Sequence, residues 1–339
     1  MQIPENQVLP WHEAELRHAL EHRLRVPHAI LLHGREGIGK LRFARALAQS
    51  LLCESPRDEL ACGICSACGW FGSGNHPDFR LVEPAALTEA DDEGEGAAKS
   101  SARILIEQIR DLTDFINVSS HRGGAKVALI HPAEALNVNA ANALLKNLEE
   151  PPPGTHFVLV AHRVQFLLPT IRSRCRHLAP GVPAPEMAAK WLREQGVRDP
   201  ELALAHTGGA PLLAHSLDGH DYWQRREVLL EQIAVRRFDP LAAADQLYDQ
   251  PLREILASLQ KWTFDLVLHK CLGRVRYNPD RSQALATLAA HADALKVLRF
   301  HRELLKLQRV IDHPLNPRLL LEQLLLDYAA AVGAAGHAA

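Results

Sequence analysis

The glycine-rich stretch GREGIGKL, at residues 34–41, constrains the fold of this chain more than any other feature. An apolar run, Ala29–His33, precedes it, and Leu41–Leu52 follows with apolar residues at helical spacing. Glycines and a lysine between a strand and a helix are typical of phosphate-binding loops, in which backbone N–H groups surround a phosphate. We therefore predict an α/β domain in which this loop joins a buried strand to a helix.

The loop lacks one residue that a nucleotide-hydrolysing protein needs. The members that fit the pattern G-x-x-x-x-G-K-[ST] are Gly34, Gly37, Gly39 and Lys40. Leu41 stands where a serine or threonine hydroxyl would hold Mg²⁺, and its side chain has no oxygen to offer a metal. The pattern predicts the shape of a phosphate loop and leaves open whether it still binds nucleotide.

A second metal ligand is missing as well. ATPases of this architecture hold Mg²⁺ with a carboxylate at the end of a second strand, usually beside another that activates water. Here the predicted strand Val127–Ile130 is followed by His131 and Pro132. Glu134 lies too far along to stand at the strand end, and we expect it to begin the next helix. Two separate losses predict a chain that does not hydrolyse ATP.

Strands and helices alternate up to about residue 180, which favours a parallel sheet covered on both faces. Besides Ala29–His33 and Val127–Ile130, the predicted strands are Phe79–Val82, His156–Ala161 and His177–Leu178. The acidic stretch Glu89–Ser101 has no periodicity and predicts a mobile surface loop. Pro180–Pro185 (PGVPAP) is the candidate linker, and helical patterns follow it. We predict domains at 1–180, 181–219 and 220–339.

Composition narrows the class of protein. With 339 residues the chain is too long for one ordinary core, and its net charge of −2 argues against a strongly basic nucleic-acid-binding protein. The first residues lack the pattern of a signal peptide, and no run of about 18 apolar residues predicts a membrane span. We therefore expect a cytoplasmic protein, in which thiols stay reduced.

Four cysteines are crowded within residues 53–68. Cys53, Cys62, Cys65 and Cys68 have the spacing C-x₈-C-x₂-C-x₂-C, and four thiolates suffice for a closed structural zinc site. Disulfides and an iron–sulfur cluster are the alternatives, and a reducing compartment disfavours the disulfides. His76 is expected to have a turn or capping role. Cys175 and Cys271 are isolated, and each is expected to be a small buried apolar residue.

A resemblance becomes specific in the second half of the predicted sheet domain. The block ANALLKNLEEPP (141–152), the triplet SRC (173–175) and the four-cysteine insert together resemble bacterial clamp-loader subunits of DNA polymerase III. Among these subunits, a cysteine insert with degenerate ATPase motifs is similar to the delta-prime class. The resemblance implies an AAA+ (RecA-like) domain, a small helical lid domain and a C-terminal helical collar domain.

The resemblance also implies a function. Arg174 of the SRC triplet would act as an arginine finger in the ATP site of a neighbouring subunit, and Arg172 and Arg176 are given no role beyond solvated charge. The expected partners are the gamma or tau and delta subunits, with the sliding clamp and primed DNA reached through the complex. Nucleotidyl transfer belongs to the DNA-directed DNA polymerase as a whole, and no ATPase is expected of this chain. Active family members carry Thr or Asn where this sequence has Ala161-His162.

Three alternatives stay open at this stage. Arg174 could form a salt bridge within its own domain. The chain could be an active ATPase of the gamma or tau type, or a free-standing zinc-dependent nucleic-acid binder.

On the predicted helix around residues 140–148, Asn142, Lys146 and Asn147 lie off the apolar face and are candidates for contact with DNA or a neighbouring subunit.

Overall fold

In the computed structural model the chain is described over residues 7–21, 26–88, 101–121, 124–218, 221–235, 237, 239–308 and 316–333. It divides into two compact units, Met1–Ala184 and Pro185–Ala339. The acidic stretch predicted as a mobile loop falls outside the described residues, except for Ser101. Within these ranges no helix is long and apolar enough to cross a bilayer.

The first unit is built on a five-stranded parallel sheet. Its strands are β1 (Ala29–His33), β2 (Phe79–Val82), β3 (Lys126–Ile130), β4 (Thr155–Ala161) and β5 (Arg176–Leu178). They lie in the order β2-β3-β4-β1-β5. Ile30 pairs with both Val158 and Arg176, and β3 pairs with β2 and β4. The carboxyl ends of all five strands therefore meet at one edge of the sheet.

Helices cover both faces of this sheet. They are α1 (Glu13–Leu20), α2 (Lys40–Leu52), α3 (Ser66–Gly72), α4 (Ala85–Thr88), α5 (Ile106–Asn117), α6 (Val138–Glu149) and α7 (Pro169–Arg172). Alternate strand residues enter two separate apolar clusters: Leu129 packs with α2 on one face, and Ala128 packs with α5 and α6 on the other. This burial on both faces explains why the strands are continuous apolar runs in the sequence.

The second unit is entirely helical over its described residues. Its helices are α8 (Pro185–Glu194), α9 (Pro200–His206), α10 (Pro211–Asp218), α11 (Tyr222–Ile233), α12 (Pro240–Leu247), α13 (Leu252–Leu272), α14 (Ser282–His291), α15 (Ala294–Leu307) and α16 (Pro317–Val332). One apolar cluster joins α11 to α16. At its centre the Trp262 indole N–H donates to the Tyr328 hydroxyl at 2.8 Å, which donates to the Ile233 carbonyl at 2.9 Å.

The predicted fold class is confirmed. All five predicted strands are present with ends within one residue of the expected ones, and the predicted helix after the glycine loop begins one residue earlier, at Lys40. The region after residue 184 is helical, as predicted. The separation of that region into domains at 181–219 and 220–339 stays a prediction.

Candidate functional site

The glycine loop between β1 and α2 has the conformation that its sequence predicts. Gly34, Gly37 and Gly39 have φ angles of 146°, 76° and 103°, in the range that residues with a Cβ rarely adopt. Gly39 directly precedes α2, so the loop ends at a helix N-terminus, where backbone N–H groups are free to face an anion. The backbone of a phosphate loop is therefore retained.

An N-terminal segment packs against this loop. A Cβ on Gly39 would lie 2.3 Å from Leu9 Cδ1, so the side chain of Leu9 occupies the space beside the glycine. The Trp11 indole N–H donates to the Ile38 carbonyl at 3.0 Å. His12 is fully buried, and its ring meets that of Phe43 edge-on at 5.7 Å. The sequence does not predict this contact, since nothing in residues 7–12 marks a long-range partner.

Lys40 is buried at the first position of α2, with only 2% of its surface exposed. Its ammonium group donates to the carbonyl of Arg35, within the same loop. Burial lowers the pKa of Lys40 to about 8, and the nearby carboxylates of Glu36 and Glu134 act in the opposite direction. Leu41, the next residue, packs on the apolar cluster beneath the sheet.

The residues that follow β3 and β4 form a connected polar group. His131 Nδ1 lies 2.8 Å from a carboxylate oxygen of Glu83, which follows β2, and His131 Nε2 lies 3.3 Å from His162 Nε2. The Glu134 carboxylate accepts the backbone N–H groups of His162 and Arg163 at 2.9 and 3.0 Å. Burial lowers the pKa of His162 to about 4, and the charge of Lys40 adds to this effect.

This arrangement corrects one prediction and extends another. Glu134 does not begin the next helix: it lies in a short 3-10 helix, Ala133–Ala135, and its side chain reaches the end of β4. His131 and Pro132 do follow β3, as the sequence requires. Glu83 was not predicted as a member of the site, and His162 was noted only as standing where active family members carry Thr or Asn. The strand order brings both side chains beside His131.

The chemistry of this group differs from that of a magnesium site. Imidazole nitrogens occupy the end of β3, and the Glu134 carboxylate is engaged by two backbone N–H groups. Mg²⁺ prefers oxygen ligands in octahedral geometry, and imidazole suits transition metals. The loop can present N–H groups and an ammonium group, but the positions that would hold Mg²⁺ carry Leu41 and His131.

Arg174 lies on the surface of the first unit, two residues after the end of α7. Its Nη1 donates to the Thr170 carbonyl at 3.0 Å, and its Nη2 forms an ion pair with Glu149 at the end of α6. The side chain of Arg174 is 35% exposed and that of Glu149 is 48% exposed. The alternative of a salt bridge within its own domain is therefore realised in the single chain, in a solvent-accessible form that a partner could replace.

The four predicted cysteine ligands converge after the end of α2. Their sulfur atoms all lie within 4.8 Å of one another. Cys53 Sγ and Cys65 Sγ are 3.8 Å apart, which is about the separation of two thiolates on a tetrahedral zinc with Zn–S bonds of ~2.3 Å. Backbone N–H groups of Cys62, Cys65 and Cys68 point at the preceding sulfurs, at 3.3 to 3.4 Å. The donor set fits a structural zinc ion.

The four thiols differ in how readily they ionise: hydrogen bonds from backbone N–H groups lower the pKa of Cys62, whereas burial raises the pKa of Cys53 and of Cys68. Burial opposes ionisation of Cys65, but the backbone N–H groups of Cys68 and Glu54 and the neighbouring thiols outweigh it and lower the pKa of Cys65 to about 6. His76 is outside the donor set, and its Nδ1 accepts the backbone N–H of Asp78 at 3.1 Å, which confirms its predicted turn role. Thiolate is the form that binds zinc.

Three further predictions are settled by burial. Cys175 is buried in the sheet domain, as expected, and burial raises its pKa to about 11. Cys271 is exposed on α13, so its prediction as a buried residue is wrong. Asn147, a candidate for contact with DNA or a neighbouring subunit, is instead buried and donates to Thr113 Oγ1 of α5 at 2.8 Å. Asn142 and Lys146 do lie exposed on α6.

Two family models match the chain. The model described as "DNA polymerase III, delta subunit" matches residues 12–179, and that described as "DNA polymerase III, delta subunit, C terminal" matches residues 220–329. The first match covers the glycine loop, the cysteine cluster and Arg174. The second covers α11 to α16, apart from the last residues of α16.

Two of the matching relatives are delta' subunits. The chain is 36% identical to the DNA polymerase III subunit delta' of Pseudomonas aeruginosa, over 96% of this chain and 98% of that protein. It is 35% identical to the delta' subunit of Escherichia coli over 61% of this chain and 59% of that one. The tau subunit of Escherichia coli is 36% identical over 44% of this chain and 21% of its own length. A gamma subunit-related protein from Thermotoga maritima aligns in structure with a TM-score of 0.46, at 20% identity, over 94% of this chain and 99% of that one.

Proposed function

Since the chain belongs to the family of DNA polymerase III delta' subunits, we propose that it is a non-hydrolysing scaffold subunit, or stator, of the clamp loader. In this role it joins a ring with gamma or tau and delta subunits, contributes Arg174 to a neighbouring ATP site, and helps to place the sliding clamp on primed DNA in the cytoplasm. Nucleotidyl transfer is the activity of the polymerase complex. This chain takes part in the assembly of the clamp loader and supports ATP turnover by the neighbouring subunits.

One observation carries the proposal: a phosphate-loop backbone is present without the side chains that would hold Mg²⁺. Leu41 packs into the apolar cluster, and His131 is held by Glu83 at the end of β3. ATP hydrolysis depends on a metal that bridges the β- and γ-phosphates and on a group that orients water. This supports a subunit that shares the fold of an ATPase and leaves hydrolysis to its neighbours.

The position of Arg174 supports the second part of the proposal. An arginine finger must give up its contacts within its own domain at a small cost in free energy. It must then reach the phosphates bound by a neighbouring subunit. The Arg174 and Glu149 side chains are 35% and 48% exposed, and solvent-accessible ion pairs contribute about 0–1 kcal/mol. Exchange of Glu149 for a triphosphate, which carries more charge, is therefore a favourable change of partner.

The cysteine cluster has a structural role in this proposal. Four thiolates close the coordination shell of zinc, so no position is left for a substrate. Cys53 directly follows α2, and residues 54–65 contain no helix or strand of their own. Zinc would therefore hold an insertion that is too small to bury a core, and catalysis would not involve it.

The test is a reconstituted complex that contains Arg174→Ala. We expect the mutant subunit to fold and assemble and the DNA-stimulated ATPase rate to fall, because an arginine finger acts as charge builds on the phosphoryl group. Removal of a finger slows its own site by about 10³–10⁵-fold. The total rate falls only by the share of that site, since the remaining sites of the ring keep their fingers.

Two matched variants control for charge and for the intramolecular pair. Arg176→Ala removes an exposed arginine two residues away, and Glu149→Gln removes the partner of Arg174 without removing the arginine. Both should leave the ATPase rate of the complex close to that of the wild type. A lower melting temperature for Arg174→Ala, with complexes that hydrolyse ATP at the full rate, would show that Arg174 serves only its own domain.

A further inference from the structure

Two imidazole rings face each other at the carboxyl ends of β3 and β4. His131 Nε2 and His162 Nε2 lie 3.3 Å apart, and the rings are nearly perpendicular, with an interplanar angle of 89° and centroids 5.3 Å apart. The nitrogens are therefore closer to each other than the ring centres are, and each ring presents Nε2 to the other. The proposed scaffold function uses neither side chain.

The Glu83 carboxylate determines which nitrogen of His131 carries the proton. An ionised carboxylate only accepts hydrogen bonds, so at 2.8 Å it fixes a proton on His131 Nδ1. In the neutral ring the lone pair is then on Nε2, the atom that faces His162. A carboxylate on the far nitrogen of a histidine is the usual second-shell partner of a metal-bound imidazole, where it orients the ring and raises its basicity.

His162 is held from its backbone. Its N–H donates to the Glu134 carboxylate, and so does the N–H of Arg163, which fixes the turn at the end of β4. The Nδ1 atom of His162 is buried and has no hydrogen-bond partner within the described residues. The position of the His162 ring is therefore set by its main chain and by packing. His131 and His162 each directly follow a strand of the sheet.

The separation of the two nitrogens matches a shared metal ion. Two imidazole nitrogens, each about 2.0–2.1 Å from a tetrahedral zinc ion, stand about 3.3–3.4 Å apart. We propose that His131 and His162 form a two-imidazole site for a divalent transition metal such as Zn²⁺, Co²⁺ or Ni²⁺, at the end of β3, where a magnesium ligand would otherwise stand. Imidazole selects these ions over Mg²⁺, which prefers oxygen ligands.

The remaining coordination positions belong to water. In the described part of the chain, the cysteine cluster is the only group of three or more candidate ligands that converge on a point. The histidine site therefore has two protein ligands, and it should bind metal more weakly and exchange it faster than the four thiolates do. This difference allows the two sites to be loaded separately.

The experiment is a Co²⁺ titration of the full chain whose cysteine site is already filled with zinc. We expect one further equivalent of Co²⁺ to bind, with visible d–d absorption and without the near-ultraviolet charge-transfer bands of cobalt–thiolate bonds. Binding should be lost in His131→Ala and in His162→Gln, and excess Mg²⁺ should not compete. Glu83→Gln should weaken it by about 10–100-fold, as loss of a second-shell carboxylate does.

A second histidine pair in the same sheet provides the control. The rings of His33 and His177 lie 5.2 Å apart, but His177 Nε2 contacts the Arg172 carbonyl at 2.9 Å. His177→Ala should leave Co²⁺ binding unchanged, and unchanged melting of each variant confirms that it is folded. The proposal is overturned if the wild type binds no Co²⁺ beyond the zinc already present, or if Co²⁺ binding survives both His131→Ala and His162→Gln. The two rings would then share only an N–H···N hydrogen bond.

Discussion

The cysteine cluster and the phosphate loop lie at opposite ends of the same helix, α2. The cluster retains its ligand side chains, whereas the loop retains only its backbone shape. The cluster has a complete donor set, with four sulfurs within 4.8 Å of one another. The loop has its backbone shape, with three glycines at positive φ, but Leu41 and His131 stand at its metal positions. In one region the side chains determine the shape. In the other, the backbone keeps its shape although the side-chain chemistry has changed.

This contrast has a physical cause. A tetrahedral thiolate site needs the metal to hold its loop together, because the loop has no core of its own. The phosphate loop is stabilised without any ligand, because Leu9 packs against Gly39 and the Trp11 indole donates to the Ile38 carbonyl. Loss of a ligand group should therefore destabilise the cluster strongly, and loss of the buried lysine should not destabilise the loop.

The largest effect is expected at the cluster. Cys65→Ser removes one of four ligands, and we expect loss of zinc and a fall of about 5 kcal/mol or more in the stability of residues 53–68, since zinc binding contributes about 10–16 kcal/mol in small zinc modules. Elemental analysis and limited proteolysis measure the two effects. Cys271→Ser, at an exposed cysteine on α13, is the control and should change neither. Iron in the purified protein, or intact disulfides without metal, would contradict the zinc assignment.

The second effect tests the packing of the loop. Gly39→Ala places a Cβ 2.3 Å from Leu9 Cδ1 at a φ of 103°, and we expect a loss of about 2–4 kcal/mol from strain and overpacking together. Gly273→Ala, at a φ of 64° in open space, should cost only about 1 kcal/mol for the backbone. Denaturant unfolding measures both. Equal losses would show that the contact with Leu9 contributes nothing.

The third effect has the opposite sign. Burial lowers the pKa of Lys40 from 10.5 to about 8, so a charged lysine opposes folding at neutral pH by up to ~3 kcal/mol. Lys40→Met should therefore stabilise the chain by about 1–3 kcal/mol, after the lost hydrogen bond to Arg35 is counted. Lys126→Met is the control: this buried lysine donates to the Phe115 carbonyl at 2.6 Å and lies over its ring, so its loss should destabilise.

The pH dependence of the Lys40 effect follows from the same shift. Between pH 8 and 10.5 the unfolded chain binds a proton at Lys40 that the folded chain does not, so the stability of the wild type rises with pH across this window. The advantage of Lys40→Met should be full below about pH 8 and shrink as the pH rises to 10.5. An advantage that is constant with pH would show that it does not come from the buried charge.

The sequence predicted features that depend on local pattern. Apolar runs located all five strands, glycines located the loop, and cysteine spacing located the four sulfurs that converge on a point. Each of these signals lies within a few consecutive residues, where periodicity and φ preferences act. The missing metal ligands at Leu41 and His131 were also visible, because both lie at fixed offsets from a motif or a strand end.

The features that escaped prediction depend on the order of the strands. The contacts of His131 with Glu83 and His162 were not predicted, because the three residues follow strands that are far apart in sequence and adjacent in the sheet. Asn147 was expected to be exposed because it lies off the apolar face of α6, but α5 covers that side and offers Thr113 as a partner. Helical periodicity describes one helix, and these contacts require knowledge of the neighbour.

The central claim is that the loop keeps the backbone of a phosphate loop but does not support ATP hydrolysis. The ATPase rate of the isolated wild-type chain with Mg²⁺ tests this claim most directly. We expect no turnover above background, and Leu41→Thr should not restore it, because His131 and Pro132 still leave the metal and the attacking water without carboxylates. Lys40→Ala should be as inactive as the wild type. Mg²⁺-dependent hydrolysis by the wild type that Lys40→Ala abolishes would contradict the central claim.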